Sequence, residues 1–411
     1  MTWSDRAGLS TACSGGRLRT ARGQSVLILV VCFAAAGAGG IGHDTFHRPP
    51  GLPIMISAKA HGLGVVERTM NIYALCAVEA GLDTISLVAN STPIKGVIGL
   101  AETSTTGNVA GYANAEAFCL QRGILYRSVA SYSLIHDDDR RMLEGLDIDV
   151  LLIAGWQRLV PDWLIEHCRI GAVGVHGSAL GITRGRGRSP QNWALILGKK
   201  QFEISIFFVE KGVDCGSVID TRIFPLLEHD DIRTSYYKAS WCVADMFVEA
   251  IHSGRLSRGT AQPQIHEDAR YLPQRRPEDG AIDWSRSTKQ VCDFVRALTR
   301  PYPGAYCSLG NNELHIWVAL PFDTGATPSD RTPGEISAIL THGELIIRTG
   351  DGYLLVSDYT LQGGGDGALP RHGEVLSSTP FPEQLRRVLD RHRAKYPTLK
   401  LSEELEELAA P

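Results

Sequence analysis

The sequence predicts an α/β protein: a Rossmann-like, doubly wound and mostly parallel sheet, followed by a small OB-like β-barrel domain. From residue 54 onward, short apolar runs alternate with helical patterns. Strands separated by helices of about 10 to 15 residues are joined by right-handed crossovers and therefore lie parallel in one sheet. Between residues 280 and 369, short alternating runs are separated by Gly, Pro and Asn clusters, which is typical of a small barrel.

Length and composition allow more than one domain and disfavour some functions. A chain of 411 residues that is 44% hydrophobic exceeds the size of about 250 to 300 residues at which single cores stop growing. The formal net charge of -4 argues against a protein built mainly to neutralise phosphates. The nine cysteines include no Cys-x-x-Cys pair, so we expect reduced thiols and no structural zinc.

The first 52 residues differ from the rest of the chain. Four arginines precede the apolar run VLILVVCFAAAGAGG, a pattern similar to that of a secretory signal. The run is too short to span a bilayer comfortably. We favour the alternative that residues 1–52 are an unstructured extension and that the first strand begins at PIMIS, near Met55.

The elements of the first domain, expected over residues 53–255, are predicted in chain order. The sequence predicts a strand at PIMISA, a helix over 65–80, a strand at TISLVA, a helix over 112–121, a strand at ILYRSV, a helix over 138–146 and a strand at VLLIAG. A buried strand GAVGVHGS and a helix starting at SPQNWALI follow, and a long helix covers 232–251. Polar composition predicts a linker over 256–279.

The remaining residues predict a small β domain and a tail. A helix over 289–299 precedes the strand-like runs HIWVAL, GEISAIL, ELIIRTG and GYLLVSDY. Acidic residues outnumber basic ones over 280–369, so we expect this domain to be structural or to wall one side of a site rather than to hold RNA. Residues 370–411 form a charged pattern with a partial apolar stripe, which predicts a solvated helix, with a partner surface as the alternative.

The stretch from residue 171 to 220 brings together two groups that can act on one ligand. His176 follows an apolar run, and Asp214 lies in a Gly-flanked turn between two later strand-like runs. Ligands of open α/β sheets bind outside the carboxyl ends of the strands, where His176 is expected. The imidazole could donate to a developing oxyanion, and the carboxylate could orient it and relay protons. A capping or core histidine is the alternative.

These residues resemble the formyltransferase family that takes its one-carbon unit from 10-formyltetrahydrofolate. The family motif is Asn-x-His at a strand end, then a loop and helix, then an Asp before a Gly. His176 and Asp214-Cys215-Gly216 match it, while Gly174 stands where the family has Asn. Residues 153–161 resemble the strand and turn that line the pterin pocket, and 271–284 with 295–306 resemble the junction into the C-terminal barrel.

The resemblance implies a formyltransferase fold, catalytic roles for two residues and a set of folate contacts. His176 and Asp214 are the implied catalytic pair, and 10-formyltetrahydrofolate is the implied formyl donor. The implied folate contacts are Gly155, Trp156, Leu159, Val160, Val209, Gly212 and Val213. A folate-dependent enzyme is expected in the cytoplasm and not at a membrane. The family Asn bonds the formyl oxygen, and losing one such donor costs about 10² to 10³ in rate.

Three arginines in the Gly-rich loop are candidates for binding the acceptor. Arg184, Arg186 and Arg188 occupy alternate positions, so an extended segment would point all three guanidinium groups the same way. Such a row suits a carboxylate or diphosphate, and a solvated basic loop is the alternative. We add Ser178, at the end of the strand that carries His176, to the predicted acceptor contacts.

The favoured interpretation is formyl transfer to a small-molecule amine, that of an amino sugar or sugar nucleotide. Methionyl-tRNA formylation is the alternative, but the segment after Val88 lacks the basic loop used by tRNA-acting members, and nucleic acid binding needs several Lys or Arg. Because of Gly174, a hydrolase that releases formate and a non-catalytic folate or sugar-nucleotide binding protein stay open. The sequence also leaves a homodimer open.

Overall fold

The computed structural model describes residues 69–104, 109, 111–325, 332–363 and 369–410. The predicted strand at PIMIS, the start near Met55 and the extension over residues 1–52 lie outside the described residues. The strands and helices below are those of the described part of the chain.

The first domain is a mixed sheet with helices on both faces. Its strands are β1 Ile72–Cys76, β2 Gly96–Leu100, β3 Leu125–Val129, β4 Val150–Ile153, β5 Gly171–Ser178, β6 Arg186–Gly187, β7 Gln201–Phe208 and β8 Val218–Pro225. All except β6 form a sheet in the order β3-β2-β1-β4-β5-β7-β8. The first five strands in the chain pair in parallel, and β7 and β8 pair antiparallel. The predicted Rossmann-like, mostly parallel sheet is confirmed.

The helices of this domain mostly agree with the predicted ones. They are α1 Glu79–Ala89, α2 Ala115–Arg122, α3 Asp137–Glu144, α4 Asp162–His167, α5 Gly181–Arg184, α6 Pro190–Ile196 and α7 Ile232–His252. The long helix α7 starts sharply because a capping box closes its first turn: Asp231 Oδ1 accepts from Thr234 N at 2.8 Å, and Thr234 Oγ1 accepts from Asp231 N at 2.9 Å.

Two early predictions are wrong. The segment 65–80, predicted as a helix, contains β1, and TISLVA, predicted as a strand, is the second half of α1. Thr84, Ile85 and Val88 are buried at the spacing of one helix face. These β-branched residues resemble a strand, since periodicity alone does not separate a short apolar run in a strand from one in a buried helix.

The segment predicted as a linker, 256–279, is anchored to the first domain. Its strand β9 Tyr271–Leu272 pairs in parallel with β6. On the two sides of this pair, Arg186 N donates to Arg270 O and Arg188 N donates to Leu272 O, each at 3.1 Å. The interdomain segment therefore holds the arginine-containing loop in place.

The C-terminal domain is an antiparallel sheet preceded by a helix. It consists of α8 Thr288–Leu298, β10 Ala305–Leu309, β11 Asn312–Pro321, β12 Ile336–Ile339, β13 Leu345–Arg348 and β14 Tyr353–Gln362. Within the described residues the strand order is β10-β11-β14-β13-β12. The helix and the four predicted strand-like runs are confirmed, and β10 is an additional strand that the sequence did not reveal.

The tail is not the solvated helix that was predicted. It forms two helices, α9 Phe381–Lys395 and α10 Glu403–Leu408, and the first buries one face against the C-terminal domain. Between the two helices, Leu401 forms a parallel bridge with Tyr271. Tyr271 N donates to Lys400 O at 2.9 Å, and Ser402 N donates to Tyr271 O at 3.1 Å. The tail is thus tied to β9 by one parallel bridge, on a residue of the β6–β9 pairing.

The core covers both faces of the first sheet and continues into the second domain. Successive residues of β5 point to opposite faces, with Val173 in the larger hydrophobic cluster and Ala172 in the smaller one. The larger cluster extends through Trp193 to Trp284 and Phe294 of the C-terminal part. No helix within the described ranges is long and apolar enough to cross a membrane.

Leu405 tests whether the tail contributes to folding. Its side chain is fully buried, with 0% exposed, so Leu405→Ala should lower the free energy of unfolding by about 2 to 5 kcal/mol. Leu408→Ala, in the same helix but 43% exposed, should change it by less than about 0.5 kcal/mol. Equal effects in chemical denaturation would show that α10 does not pack as described.

Candidate active site

His176 is held by both of its ring nitrogens. It lies on the same face of β5 as Ala172, and its side chain is 8% exposed. Nε2 lies 2.7 Å from Gly185 O, and since a carbonyl can only accept, Nε2 carries the hydrogen. Nδ1 lies 3.3 Å from Asp214 Oδ2. The two residues predicted from the sequence to share one site are therefore in contact.

The turn between β7 and β8 explains why Asp214 is followed by Cys and Gly. Asp214 has a φ of 50°, a left-handed conformation that Asp tolerates better than most residues. A Cβ atom on Gly216 would lie 1.7 Å from Phe208 O, so only glycine fits there. The carboxylate is 20% exposed, and its Oδ2 accepts from Gly187 N at 3.2 Å.

Cys215, between these two residues, closes the same turn. Its Sγ donates to Lys211 O at 3.1 Å. Burial raises the pKa of the Cys215 thiol, so the group is a thiol and not a reactive thiolate near neutral pH. Within the described residues, no group of three or more His, Cys, Asp or Glu side chains is arranged to hold a metal ion.

Gln264 is part of the site, and sequence analysis missed it. Its Nε2 donates to Asp214 O at 2.9 Å and to Gly216 O at 2.8 Å. Its Oε1 accepts from Arg186 Nη2 at 2.8 Å and from Thr183 Oγ1 at 3.2 Å. The residue lies in a polar segment between domains, where no hydrophobic period could indicate that one glutamine is buried.

The predicted row of three arginines is not formed. Arg184 ends α5 and Arg186 lies in β6, so the segment is not continuously extended. Arg186 is 2% exposed and bonds Gln264 and His266 Nδ1, the latter at 3.3 Å. Its guanidinium group is thus bonded within the protein, and its contact with the acceptor stays a prediction. Arg184 and Arg188 are exposed, and neither has an ion-pair partner within the described part of the chain.

Arg188 lies close to two tyrosines near the site. Burial raises the pKa of both Tyr132 and Tyr302, and the positive charge of Arg188 opposes that rise in each. The guanidinium group is therefore within electrostatic reach of both hydroxyls. An exposed cation within electrostatic reach of two phenols can hold an anionic group of a ligand.

Ser178 is buried at the end of β5. Its side chain is 1% exposed, and its Oγ accepts from Leu180 N at 3.0 Å. The same hydroxyl lies 1.8 Å from where a Cβ of residue 185 would be, so Gly185 is packed directly against it. The side chain of Ser178 thus packs within the loop, and its contact with the acceptor stays a prediction.

The predicted pterin wall combines exposed and buried apolar groups. Gly155 has a φ of 75° and lets the strand end pass closely over α1. Trp156 is 7% exposed and meets Tyr132 edge-on, with ring centroids 4.7 Å apart. Its Nε1 is buried without a hydrogen-bond partner in the described residues. Val160 is also buried, whereas Leu159 is 68% exposed.

The other predicted folate contacts follow β7. Val209 packs partly buried against the smaller hydrophobic cluster, which includes Trp156, and its N–H donates to Ala172 O at 2.8 Å. Gly212 is exposed and Val213 is half-buried in the turn that carries Asp214. The turn therefore begins where β7 runs beside the strand that carries His176.

The position of the family's Asn is closed by other side chains. Gly174 pairs with Phe207 across the sheet. A Cβ on residue 174 would lie 2.9 Å from Phe207 Cζ and 2.9 Å from Val209 Cγ2. Asn192 does not replace it, because it is 2% exposed and its Nδ2 donates to Ala297 O at 2.7 Å.

A second feature lies at the carboxyl ends of β2 and β3. It is an open cleft of about 500 Å³. Its charged lining residues are Glu102, Glu116 and Arg127, accompanied by the polar side chains of Thr103, Asn114, Tyr126 and Ser128. Carboxylates outnumber cations in this lining.

Two family models match the chain. One, described as "Formyl transferase", matches residues 75–251, and the other, "Formyl transferase, C-terminal domain", matches residues 275–366. The tail that follows residue 366 lies outside both matches.

Relatives and a solved structure agree with these matches. The chain is 30% identical over 224 residues to a methionyl-tRNA formyltransferase of Geobacter metallireducens, covering 54% of this chain and 68% of that protein. A methionyl-tRNA formyltransferase of Caldanaerobacter subterraneus is 25% identical over 285 residues, covering 69% and 86%. HypX from Aquifex aeolicus with tetrahydrofolic acid is similar in fold, with a TM-score of 0.51 and 17% identity over 81% of this chain. This chain spans about half the length of that structure, 49%.

The closed space at Gly174 can be tested by restoring the family's side chain. Gly174→Asn should destabilise the protein by about 1 to 3 kcal/mol, because the new atoms overlap Phe207 and Val209. Gly259→Asn is the matched control, since only Ser257 Oγ lies within 4 Å of a Cβ there, at 3.8 Å. A stability of Gly174→Asn equal to that of the control in denaturant titrations would show that the site is open.

Proposed function

We propose, given that this chain belongs to the formyl transferase family, that it transfers a formyl group from 10-formyltetrahydrofolate to a primary amine. The observation that carries the proposal is the contact between His176 Nδ1 and Asp214 Oδ2, at 3.3 Å, at the end of a central strand. A general acid-base group paired with an orienting partner is what transfer between two amines requires. We place the enzyme in the cytoplasm, where the folate donor is expected.

The residues around the predicted pterin wall fit a folate. Trp156 offers a buried indole N–H that has no partner among the described residues, and Leu159 offers an exposed apolar surface beside it. A flat heterocycle with acceptors on its edge could accept a hydrogen bond from the Trp156 N–H and pack its face against Leu159. When bound, the folate supplies the formyl carbon and a nitrogen that accepts a proton as it departs.

Proton transfer and stabilisation of the negative charge would then be the roles of Asp214 and His176. The exposed part of the Asp214 carboxylate accepts the proton that the attacking amine loses, and returns it to the departing nitrogen. Gly185 O and Asp214 hold both ring nitrogens of His176, so the imidazole can donate toward the negative charge that develops on the formyl oxygen only once its Nε2–H has left Gly185 O. No side-chain amide shares this task at position 174, so His176 carries more of it than in the family motif.

The acceptor is, in our proposal, the amine of a small anionic molecule such as an amino sugar nucleotide. Arg188 provides one exposed cation without an ion-pair partner in the described residues, which suits a single phosphate or carboxylate. The open cleft at the ends of β2 and β3 in the same sheet has more carboxylates than cations. A nucleic acid would meet repulsion there and would need several Lys or Arg for phosphate contacts.

Methionyl-tRNA is the second candidate. The observation that favours it is that the relatives sharing 25% to 30% identity bear the name methionyl-tRNA formyltransferase. The two candidates differ in the charge that the acceptor brings, and hence in their dependence on salt.

Substitution of the catalytic pair tests the proposed chemistry. His176→Ala and Asp214→Asn should each lower kcat/KM for formyl transfer by at least about 100-fold while thermal unfolding changes little. His252→Ala, an exposed histidine at the end of α7, is the control and should keep full activity. Retention of more than about a tenth of the activity in His176→Ala would contradict the assignment.

The acceptor can be identified with labelled donor. Radioactive 10-formyltetrahydrofolate should label a nucleotide-linked amino sugar in preference to methionyl-tRNA, and formate release without acceptor should be slow. Labelling of the tRNA, with an affinity that falls steeply between 50 and 200 mM salt as phosphate contacts require, would support the second candidate. Rapid formate release with every acceptor would indicate a hydrolase.

Arg188 tests the anionic character of the acceptor. Arg188→Gln should raise KM for the acceptor by about 10-fold or more, as loss of a charge-assisted contact does, with little change in kcat. Arg184→Gln removes the same charge from the same loop and serves as the control. Equal effects of the two substitutions would show that only the overall charge of the loop matters.

A further inference from the structure

Gln264 is a buried side chain of the interdomain segment that makes every hydrogen bond available to it. It is 9% exposed, and an amide of this type has two donor hydrogens and two acceptor lone pairs. The donors go to Asp214 O and Gly216 O, and the acceptors receive Arg186 Nη2 and Thr183 Oγ1. Neither of the catalytic side chains is touched by Gln264.

The partners of Gln264 belong to the two segments that hold the catalytic pair. Its Nε2 donates hydrogen bonds to the main-chain carbonyls on both sides of Cys215. These carbonyls lie in the turn where Asp214 has a φ of 50°. A left-handed conformation of a non-glycine residue persists when the surroundings fix it. The two carbonyl bonds supply that restraint.

The Oε1 of Gln264 accepts hydrogen bonds from the loop that bonds His176. Thr183 and Arg186 flank Gly185, whose carbonyl accepts the Nε2 hydrogen of His176. The next residue, Gly187, donates its N–H to Asp214 Oδ2 at 3.2 Å. The contacts form a closed ring that runs from His176 through the loop and Gln264 to Asp214 and back to His176.

We propose that Gln264 is a positioning residue of the proposed formyl transfer and sets the distance between the Asp214 turn and the His176 loop. The inference rests on the proposed function for its kinetic consequence. The contacts indicate why glutamine suits this position. Ala would remove the donor to the two carbonyls and leave Arg186 with His266 as its remaining side-chain partner. Glu would keep an acceptor for Arg186 but turn a carboxylate oxygen toward the carbonyls of residues 214 and 216.

Glu at this position separates positioning from stability. Arg186 is buried with Nε unpartnered within the described residues, and it has no carboxylate partner there. Gln264→Glu would place a carboxylate beside Arg186 and keep that charge satisfied, so thermal unfolding should stay close to that of the wild type. Formyl transfer should nevertheless fall, because both donors to the Asp214 turn are lost.

The experiment compares formyl transfer by the full chain and five variants, one of them the Asp214→Asn variant that serves as the background for the double substitution. Gln264→Ala and Gln264→Glu should each lower kcat by about 10-fold or more, with KM for 10-formyltetrahydrofolate changed less than about twofold. Gln262→Ala, an exposed glutamine of the same segment, should leave kcat unchanged. In the Asp214→Asn background, Gln264→Ala should cause no further loss, because the two residues act through one group.

The positioning role of Gln264 and the proposed function can fail independently of each other. Additive losses in the double variant, or a Gln264→Glu variant as active as the wild type, would overturn the positioning role while leaving the proposed function intact. Failure of the proposed function would appear as a wild type that neither transfers formyl groups nor releases formate. In that case, crystal structures of the wild type and Gln264→Ala still test the inference: the distance from His176 Nδ1 to Asp214 Oδ2 should exceed 4 Å in the variant, and an unchanged 3.3 Å would overturn it.

Discussion

Asp214 faces His176 because the chain reverses between β7 and β8 in a left-handed turn. That turn is possible only with glycine at 216, where any Cβ would overlap Phe208 O. Its carbonyls are held by Gln264, and its carboxylate meets both Nδ1 of His176 and the N–H of Gly187. The loop, the interdomain segment and the tail are each placed by their contacts with this turn or with one another.

The two domains share one hydrophobic core, which fixes the interdomain segment at both ends. Trp193 Nε1 donates to Pro273 O at 2.9 Å, and the guanidinium group of Arg275 lies over the rings of Trp193 and Phe294 at 5.0 and 5.3 Å. Burial lowers the pKa of Arg275 to about 10, and near neutral pH the group stays charged. A segment fixed by these contacts holds Gln264 in a defined position.

The sequence predicted the parts of the fold and site that depend on local pattern. The parallel sheet, the long α7, the C-terminal strands and the contact of His176 with Asp214 follow from hydrophobic period and motif spacing. TISLVA was assigned to a strand because β-branched residues on a buried helix face resemble one. Arg186 was misplaced because a two-residue strand pairs it with residues more than eighty positions away, and Gln264 was missed because its burial depends on the same long-range contacts. Whether the predicted folate contacts bind a pterin stays a prediction.

The tail has a consequence for the order in which the enzyme is completed. Lys400 and Ser402 make the two hydrogen bonds that tie the tail to Tyr271 of β9, and β9 in turn pairs with the loop that contacts His176. During translation, β5, β7 and β8 leave the ribosome long before residues 400–402. A nascent chain can therefore have a folded sheet while the loop that contacts His176 still lacks its support from the tail, so this loop reaches its final packing only late in synthesis.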